Sequence, residues 1–152
     1  MFKFIVLAVL AVASVDAFWS PCSDHAGNAP SSIVSASCSG NLCTVQRGET
    51  LIADATHTFT AAHSRLDVRV TAFILGIPVN LPQSPPDDDA CNSMYRGGSL
   101  VGCPTVPNAV HVWRINFFIP TTYPTFSNTR VRFELLSGGT NVLCTDVTAT
   151  LL

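Results

Sequence analysis

The chain has 152 residues and a formal net charge of −2, with eight lysine and arginine residues against ten aspartate and glutamate residues. A balance this close to neutral argues against a basic patch that binds nucleic acid or an anionic membrane surface. Lys3 is the only lysine. If the first residues are removed, the mature chain contains no lysine, which excludes enzymes that use a lysine nucleophile or a Schiff base.

The first element is a predicted secretory signal peptide over residues 1–17. Lys3 supplies a charged start, residues 4–13 form an apolar run, and residues 15–17 form a small-residue cleavage site. The apolar run is shorter than the roughly 20 residues that a membrane-spanning helix needs. We therefore expect a secreted mature chain of residues 18–152 that folds as one domain around its own core.

Six cysteines follow the predicted signal peptide, and an even number in an exported chain predicts three disulfide bonds. Several pairings are possible from sequence alone. Sequence proximity favours pairing across each short polar loop and then between the two cysteines that remain, giving Cys38–Cys43, Cys91–Cys103 and Cys22–Cys144. Paired CxxC spacing is absent from the sequence, so a zinc site is disfavoured and no metal is expected.

Short segments with apolar residues at every second position occupy the first half of the mature chain and predict strands over 31–37, 42–45, 51–60 and 65–75. The last of these alternates without a break and places on one face Leu66, Val68, Val70, Ala72 and Ile74. Residues 76–78 break the strand, and Val79 to Pro82 continue as a short extended piece whose prolines suit a sheet edge.

Two polar segments follow. Asp87, Asp88 and Asp89 lack the D-x-D-x-D-G spacing that wraps a calcium ion, so we interpret them as part of a solvated loop. Cys91 and Cys103 bracket residues 92–102, which are polar and contain glycine, and this segment is expected to be a surface loop without core residues.

The second half of the chain holds the most aromatic strand pattern. Between residue 111 and Pro120, the residues predicted to share an inward face are His111, Trp113, Ile115, Phe117 and Ile119. Residues 129–136 alternate in the same way, with inward Val131, Phe133 and Leu135 and outward Arg130, Arg132 and Glu134. Gly138-Gly139 predicts a hairpin turn before a closing strand over 142–152.

Several short strands separated by turn signals, without a sustained helical period, predict an all-β, two-sheet antiparallel sandwich. An antibody domain fits poorly, because it has a tyrosine two residues before its second core cysteine, where this chain has Val142 before Cys144. The predicted bridges join ends and loops, which leaves the space between the sheets free.

Catalytic motifs are missing from the sequence. The four histidines, His25, His57, His63 and His111, lie outside any nucleophile, HExxH or metal-pair motif. Glu49 and Glu134 are the only glutamates, and the outward Glu134 does not suggest a catalytic carboxylate pair. We expect neither an enzyme nor a cofactor.

The chain resembles the ML lipid-recognition family, which includes the small soluble Niemann-Pick type C sterol carrier and the group-two mite allergens. The resemblance spans the mature chain and depends on the six-cysteine order and on five stretches: CTVQRG at 43–48, GIPVNLP at 76–82, Cys103-Pro104, Pro120 and Tyr123-Pro124. It implies an immunoglobulin-like sandwich that holds a lipid in an apolar cavity between its sheets, with the three bridges given above.

The resemblance also implies a ligand site. The family's aromatic residue at the pocket mouth corresponds to Leu81, the valine after its strand-ending proline to Thr121, its mouth tyrosine to Tyr123 and its inward tryptophan to Phe133. Together with the inward faces of the strands, the predicted ligand-binding set is Ile74, Val79, Leu81, Trp113, Ile115, Phe117, Ile119, Thr121, Tyr123 and Phe133.

Two functions remain in competition. The resemblance favours a secreted, non-enzymatic carrier of a sterol, a fatty acid or a similar small apolar lipid, acting as a monomer with a membrane-protein receptor or a lipid acceptor as its partner. It also allows a location in the lysosomal lumen. The alternative is an extracellular recognition, innate-immunity or chemosensory module of the same fold, with a dry core or a non-sterol ligand. An inter-sheet void of roughly 300 to 1,000 Å³ would favour the carrier.

Overall fold

The computed structural model describes residues 17–152. The predicted signal peptide falls outside these residues, apart from Ala17, and stays a prediction. The strands are β1 (Trp19–Pro21), β2 (Ser32–Val34), β3 (Cys38–Ser39), β4 (Leu42–Val45), β5 (Thr50–Thr58), β6 (Asp67–Ile74), β7 (Ile77–Asn80), β8 (Met94–Arg96), β9 (Ser99–Leu100), β10 (Val110–Phe118), β11 (Phe126–Ser137) and β12 (Thr140–Leu151). Two short 3-10 helices span Ala26–Asn28 and Ala90–Ser93.

The strands form two sheets, which confirms the predicted all-β sandwich. The large sheet has seven strands in the order β3-β4-β12-β11-β6-β7, with β1 also paired to β12, and the small sheet has five in the order β2-β5-β10-β8-β9. One pair departs from the antiparallel prediction, because β4 runs parallel to the end of β12. Period-two alternation is the same in both pairings, so sequence alone could not distinguish them. Among the described residues, none of the helices has the length and apolarity to span a membrane.

The core of the small sheet explains two alanines in β5. Strand β10 pairs with β5 along its full length, and Trp113 and Ile115 lie directly opposite Ala55 and Ala53. All four residues are buried. An alanine opposite a large side chain leaves space for that side chain, so the inward face can pack closely against the other sheet. Phe117, on the same face, meets Phe133 of the large sheet edge to face, with ring centroids 5.7 Å apart.

The hairpin between β11 and β12 is the longest in the molecule. Ser137 pairs with Thr140, and between them Gly138 and Gly139 have φ angles of +56° and +82°. Positive φ at both central residues defines the type I′ turn, whose twist matches that of the flanking strands. The turn sets the pairing of Ser137 and Leu136, and after a register shift between Leu136 and Leu135 the residues Val131, Phe133 and Leu135 lie on the inner face, as predicted, where all three are buried.

The outer face of the large sheet carries two charged pairs whose carboxylates are buried. Arg69 Nε and Nη2 donate to Glu134 at 2.8 and 2.9 Å, and Glu134 is only 4% exposed. Arg132 binds Asp146 through Nε and Nη2 at 2.8 and 3.1 Å. These hydrogen bonds raise the pKa of both arginine side chains, so both guanidinium groups stay charged. The two pairs join three adjacent strands, because Arg69 lies in β6, Glu134 and Arg132 in β11 and Asp146 in β12.

The segment between Cys91 and Cys103 corrects one prediction. It is not wholly a surface loop, because β8 and β9 form a small hairpin that extends the small sheet. Met94 pairs with Trp113 and is 0% exposed. Met94 is the one buried residue of this segment, since Leu100 and Val101 are exposed, and the segment therefore had too little apolar periodicity to predict a strand. Its burial attaches the hairpin to the core.

Three disulfide bonds join Cys22 to Cys144, Cys38 to Cys43 and Cys91 to Cys103. Cys144 lies between the inward residues Leu143 and Thr145, so its bridge lies on the outer face of the large sheet. Cys43 is different, because it contacts the space between the sheets. Three bridges indicate that the protein folds in an oxidising compartment.

Candidate functional site

An apolar cavity lies between the two sheets, at the end where β10 finishes and β11 begins. Its lining is almost entirely hydrocarbon and includes side chains from both sheets. The lining residues are Cys43, Val45, Leu51, Leu81, Phe117, Ile119, Tyr123, Phe126, Val131, Phe133, Val147, Ala149, Thr150 and Leu151. A surface of this kind can bind an apolar molecule by burial but offers few hydrogen bonds to orient it.

The cavity is small. Its volume is about 30 Å³, which is room for one or two water molecules and about a tenth of the smallest ordinary ligand pocket. Two further voids of about 10 Å³ each adjoin it. Phe133 borders all three voids. The side chain of Phe133 therefore lies between the three voids, and within residues 17–152 these voids are far smaller than the several hundred cubic ångströms that would favour a carrier.

Hydrogen bonds from two side chains, Tyr123 and Arg47, close the outer end of the cavity. The Tyr123 hydroxyl donates to the Pro82 carbonyl at 2.9 Å, which ties the turn after β10 to the segment after β7. Burial raises the pKa of Tyr123, so the hydroxyl keeps its proton at neutral pH. Arg47 Nη1 donates to the carbonyls of Thr121 and Tyr123 at 3.2 and 3.3 Å. The predicted mouth residues thus lie together, and hydrogen bonds hold the mouth shut.

The structure divides the predicted ligand-binding residues into three groups. Five line the cavity: Leu81, Phe117, Ile119, Tyr123 and Phe133. Trp113 and Ile115 border the adjoining voids instead. Ile74 and Val79 are half buried at the margin of the core, and Thr121 is exposed, reaching the mouth only through its carbonyl. Whether any of them binds a ligand stays a prediction.

Sequence reasoning missed a row of lining residues on the closing strand. Val147, Ala149 and Leu151 alternate along β12 and face the cavity. Their period of two was visible in the sequence and would have identified them once β12 was paired with β11. Arg47 was also missed as a mouth residue, because only the folded chain brings it to residues 121–123.

A roomier and more polar cavity of about 200 Å³ opens at the opposite end of the sandwich. His57, Phe59, His63 and Asn141 are among its lining residues. The Phe59 ring contacts the rings of His57 and His63 edge to face, at centroid distances of 4.8 and 5.7 Å. Burial lowers the pKa of both histidines. Within residues 17–152, metal-ligating side chains do not gather in groups of three or more.

These features define a class of protein: a disulfide-bonded β-sandwich with an apolar cavity between its sheets. The chain belongs to the ML domain family, whose sequence model matches residues 16–151, and this confirms the resemblance seen in the sequence.

Solved structures agree with this assignment, and ten of their chains match significantly. A Niemann-Pick type C2 protein from the Japanese carpenter ant is 18% identical, with a TM-score of 0.67 over 82% of this chain and 92% of that chain. At this identity the likeness shows the fold alone. No curated protein sequence is significantly similar to this chain.

Proposed function

We propose that the protein is a secreted, non-enzymatic carrier that binds one small apolar lipid between its two sheets. The observation that carries the proposal is the apolar lining of the inter-sheet cavity, which ends at a mouth closed by Tyr123. Membership of the ML domain family supports the same function. The family resemblance suggests a receptor or lipid acceptor in the membrane as the partner that receives the ligand.

Binding on this proposal requires the sheets to part. A cavity of about 30 Å³ cannot hold a lipid, so the ligand must displace inward side chains, of which the Phe117–Phe133 pair blocks the path between the voids. Burial of apolar ligand surface contributes about 25 cal/mol per Å². Part of this free energy offsets the lost contact between the two rings, which is worth about 0.5–1.5 kcal/mol beyond its area.

Lipid extraction tests the proposal. Protein purified from a eukaryotic expression host is extracted with organic solvent, and the extract is analysed by mass spectrometry alongside uptake of labelled cholesterol and palmitate. We expect close to one lipid per chain, or saturable uptake of at least one probe. An extract without stoichiometric lipid, together with no uptake of either probe, would contradict the carrier function.

A second function has a specific observation in its favour. The small volume of the cavity fits an extracellular recognition module whose sheets pack dry, with Phe117 and Phe133 as ordinary core residues. Thermal unfolding separates the two functions, because a ligand that binds only the folded state raises the melting temperature by mass action. A melting temperature that rises with added lipid supports the carrier, and an unchanged one supports the recognition module.

A further inference from the structure

Arg47 lies at the mouth of the apolar cavity. It follows β4, whose Val45 lines the cavity, and its backbone N–H donates to the Leu152 carbonyl at 2.9 Å, beside the lining residue Leu151. Its Nη1 reaches the carbonyls of Thr121 and Tyr123 on the other side of the mouth. The backbone and side chain of Arg47 thus connect two edges of the opening.

The guanidinium of Arg47 has N–H donors that are available to a ligand. An arginine side chain carries five N–H groups, and the two on Nη1 point to carbonyls, which leaves those on Nε and Nη2. Across residues 17–152, Arg47 forms no salt bridge, whereas a carboxylate pairs with each of Arg65, Arg69, Arg114, Arg130 and Arg132. A permanent positive charge without a carboxylate partner therefore stands at the rim of a hydrocarbon-lined space.

We propose that Arg47 binds the carboxylate of a fatty acid whose chain extends into the inter-sheet cavity, an inference that rests on the proposed lipid-carrier function. The planar guanidinium matches a carboxylate in a two-point, charge-assisted hydrogen bond. Residues behind the mouth, such as Leu51, Phe117 and Leu151, supply only apolar surface for the chain.

The shape of the interior favours the same ligand. The three voids are small, with volumes of about 30, 10 and 10 Å³, and Phe133 borders all of them. A single hydrocarbon chain needs a smaller separation of the sheets than a fused-ring sterol, since it is thinner and flexible. The ligand class is therefore a single-chain fatty acid with its anionic head at Arg47.

Paired ligands that differ only at the head test the proposal. Labelled palmitate and 1-hexadecanol share a chain, and their dissociation constants are measured for the wild type and for Arg47→Gln, which removes the charge and keeps a donor. We expect Arg47→Gln to weaken palmitate binding about tenfold or more, as the loss of a charge-assisted hydrogen bond implies, and to leave hexadecanol binding unchanged. Arg96→Gln is the matched control, because Arg96 is also an exposed arginine without a salt bridge among the described residues and lies in β8 of the small sheet; it should change neither constant.

The possible failures are distinguishable. If the wild type binds neither ligand but takes up cholesterol, the carrier function stands and the fatty-acid proposal is overturned; if it takes up no cholesterol either, the carrier function itself is wrong. If the wild type binds both ligands and Arg47→Gln leaves the ratio of the two constants unchanged, the carrier function stands and the role of Arg47 is overturned. If Arg47→Gln weakens the binding of palmitate and hexadecanol equally, the proposed role of Arg47 is also overturned. That result would show that Arg47 only positions the turn at 121–123. Palmitate binding should also weaken with rising salt, because a partly exposed ion pair is screened.

Discussion

At the scale of single residues, two neighbouring phenylalanines lie in opposite environments, one packed in the core and the other exposed to solvent. Phe117 faces the cavity and contacts Phe133, whereas Phe118 points outward and is 50% exposed. We expect Phe117→Ala to lower the free energy of unfolding by about 3 kcal/mol, the lower end of the usual range because one side of the ring already borders a void. Phe118→Ala should change it by less than about 0.5 kcal/mol. Urea unfolding of both variants checks this, and equal losses would contradict the assigned faces.

His57 makes the stability of the protein sensitive to acid. It is buried at the polar end of the sandwich, and burial lowers its pKa below the ordinary value of 6.5. The unfolded chain therefore binds a proton more readily than the folded one, so stability is fully present above about pH 6.5 and is lost as the pH falls toward the folded pKa. His63 acts in the same direction.

The acid sensitivity is measurable as a melting curve. We expect the wild-type melting temperature to fall between pH 7.5 and pH 5, and His57→Gln, which has no titrating group at this position, to show a shallower fall. Thermal denaturation followed by circular dichroism at several pH values checks this. Parallel pH profiles for the two proteins would show that His57 does not cause the loss.

At the scale of elements, the turn between β11 and β12 sets the pairing of the residues next to it, up to the register shift between Leu136 and Leu135. A Cβ added at Gly138 meets nothing within 4 Å, so any cost of substitution comes from its φ of +56°. We expect Gly138→Val to destabilise the protein by about 1–2 kcal/mol, the cost of left-handed backbone for an ordinary residue. Gly138→Asn is the matched control, because asparagine suits the first position of a type I′ turn. Chemical denaturation distinguishes them, and equal costs would contradict this account of the turn.

Most strands could be predicted because one face of each is buried. Strand β10 was expected from residue 111 and begins at Val110, and β6 was expected over 65–75 and spans Asp67–Ile74. The hairpin at Met94 could not be predicted, since it has one buried residue and its contacts with β10, including the Arg114 guanidinium over the Tyr95 ring, form only in the folded chain. Likewise, the parallel pairing of β4 with β12 could not be predicted, because side-chain alternation is the same in parallel and antiparallel strands.

The candidate site was predictable only in part. Leu81, Tyr123 and Phe133 followed from the family resemblance, and they do lie around one cavity. Its volume could not be predicted, because apolar faces give the same sequence pattern whether two sheets touch or stand apart. Arg47 could not be assigned to the mouth either, as its partners lie more than 70 positions away in the chain.

At the scale of the whole molecule, the Cys22–Cys144 bridge ties the first strand to the last. It spans 122 residues of sequence, against five for Cys38–Cys43. In the chain-entropy model the long loop contributes about 4–5 kcal/mol and the short one about 2 kcal/mol. We expect the Cys22→Ala/Cys144→Ala double variant to lose roughly twice the stability of Cys38→Ala/Cys43→Ala, measured by guanidinium unfolding. Equal losses would contradict the dependence on loop length.

The closed mouth has a consequence for the speed of uptake. If the Tyr123–Pro82 hydrogen bond and the Phe117–Phe133 contact must break before a lipid enters, opening becomes a step separate from encounter. The observed rate of uptake in stopped-flow experiments should then level off at high lipid concentration, at the rate of opening. Tyr123→Phe lacks the hydroxyl and should raise this plateau, and a rate that climbs linearly without limit in both proteins would contradict a gated mouth. A carrier built in this way would also release its cargo slowly in water, so that delivery depends on whatever surface or partner helps the mouth to open.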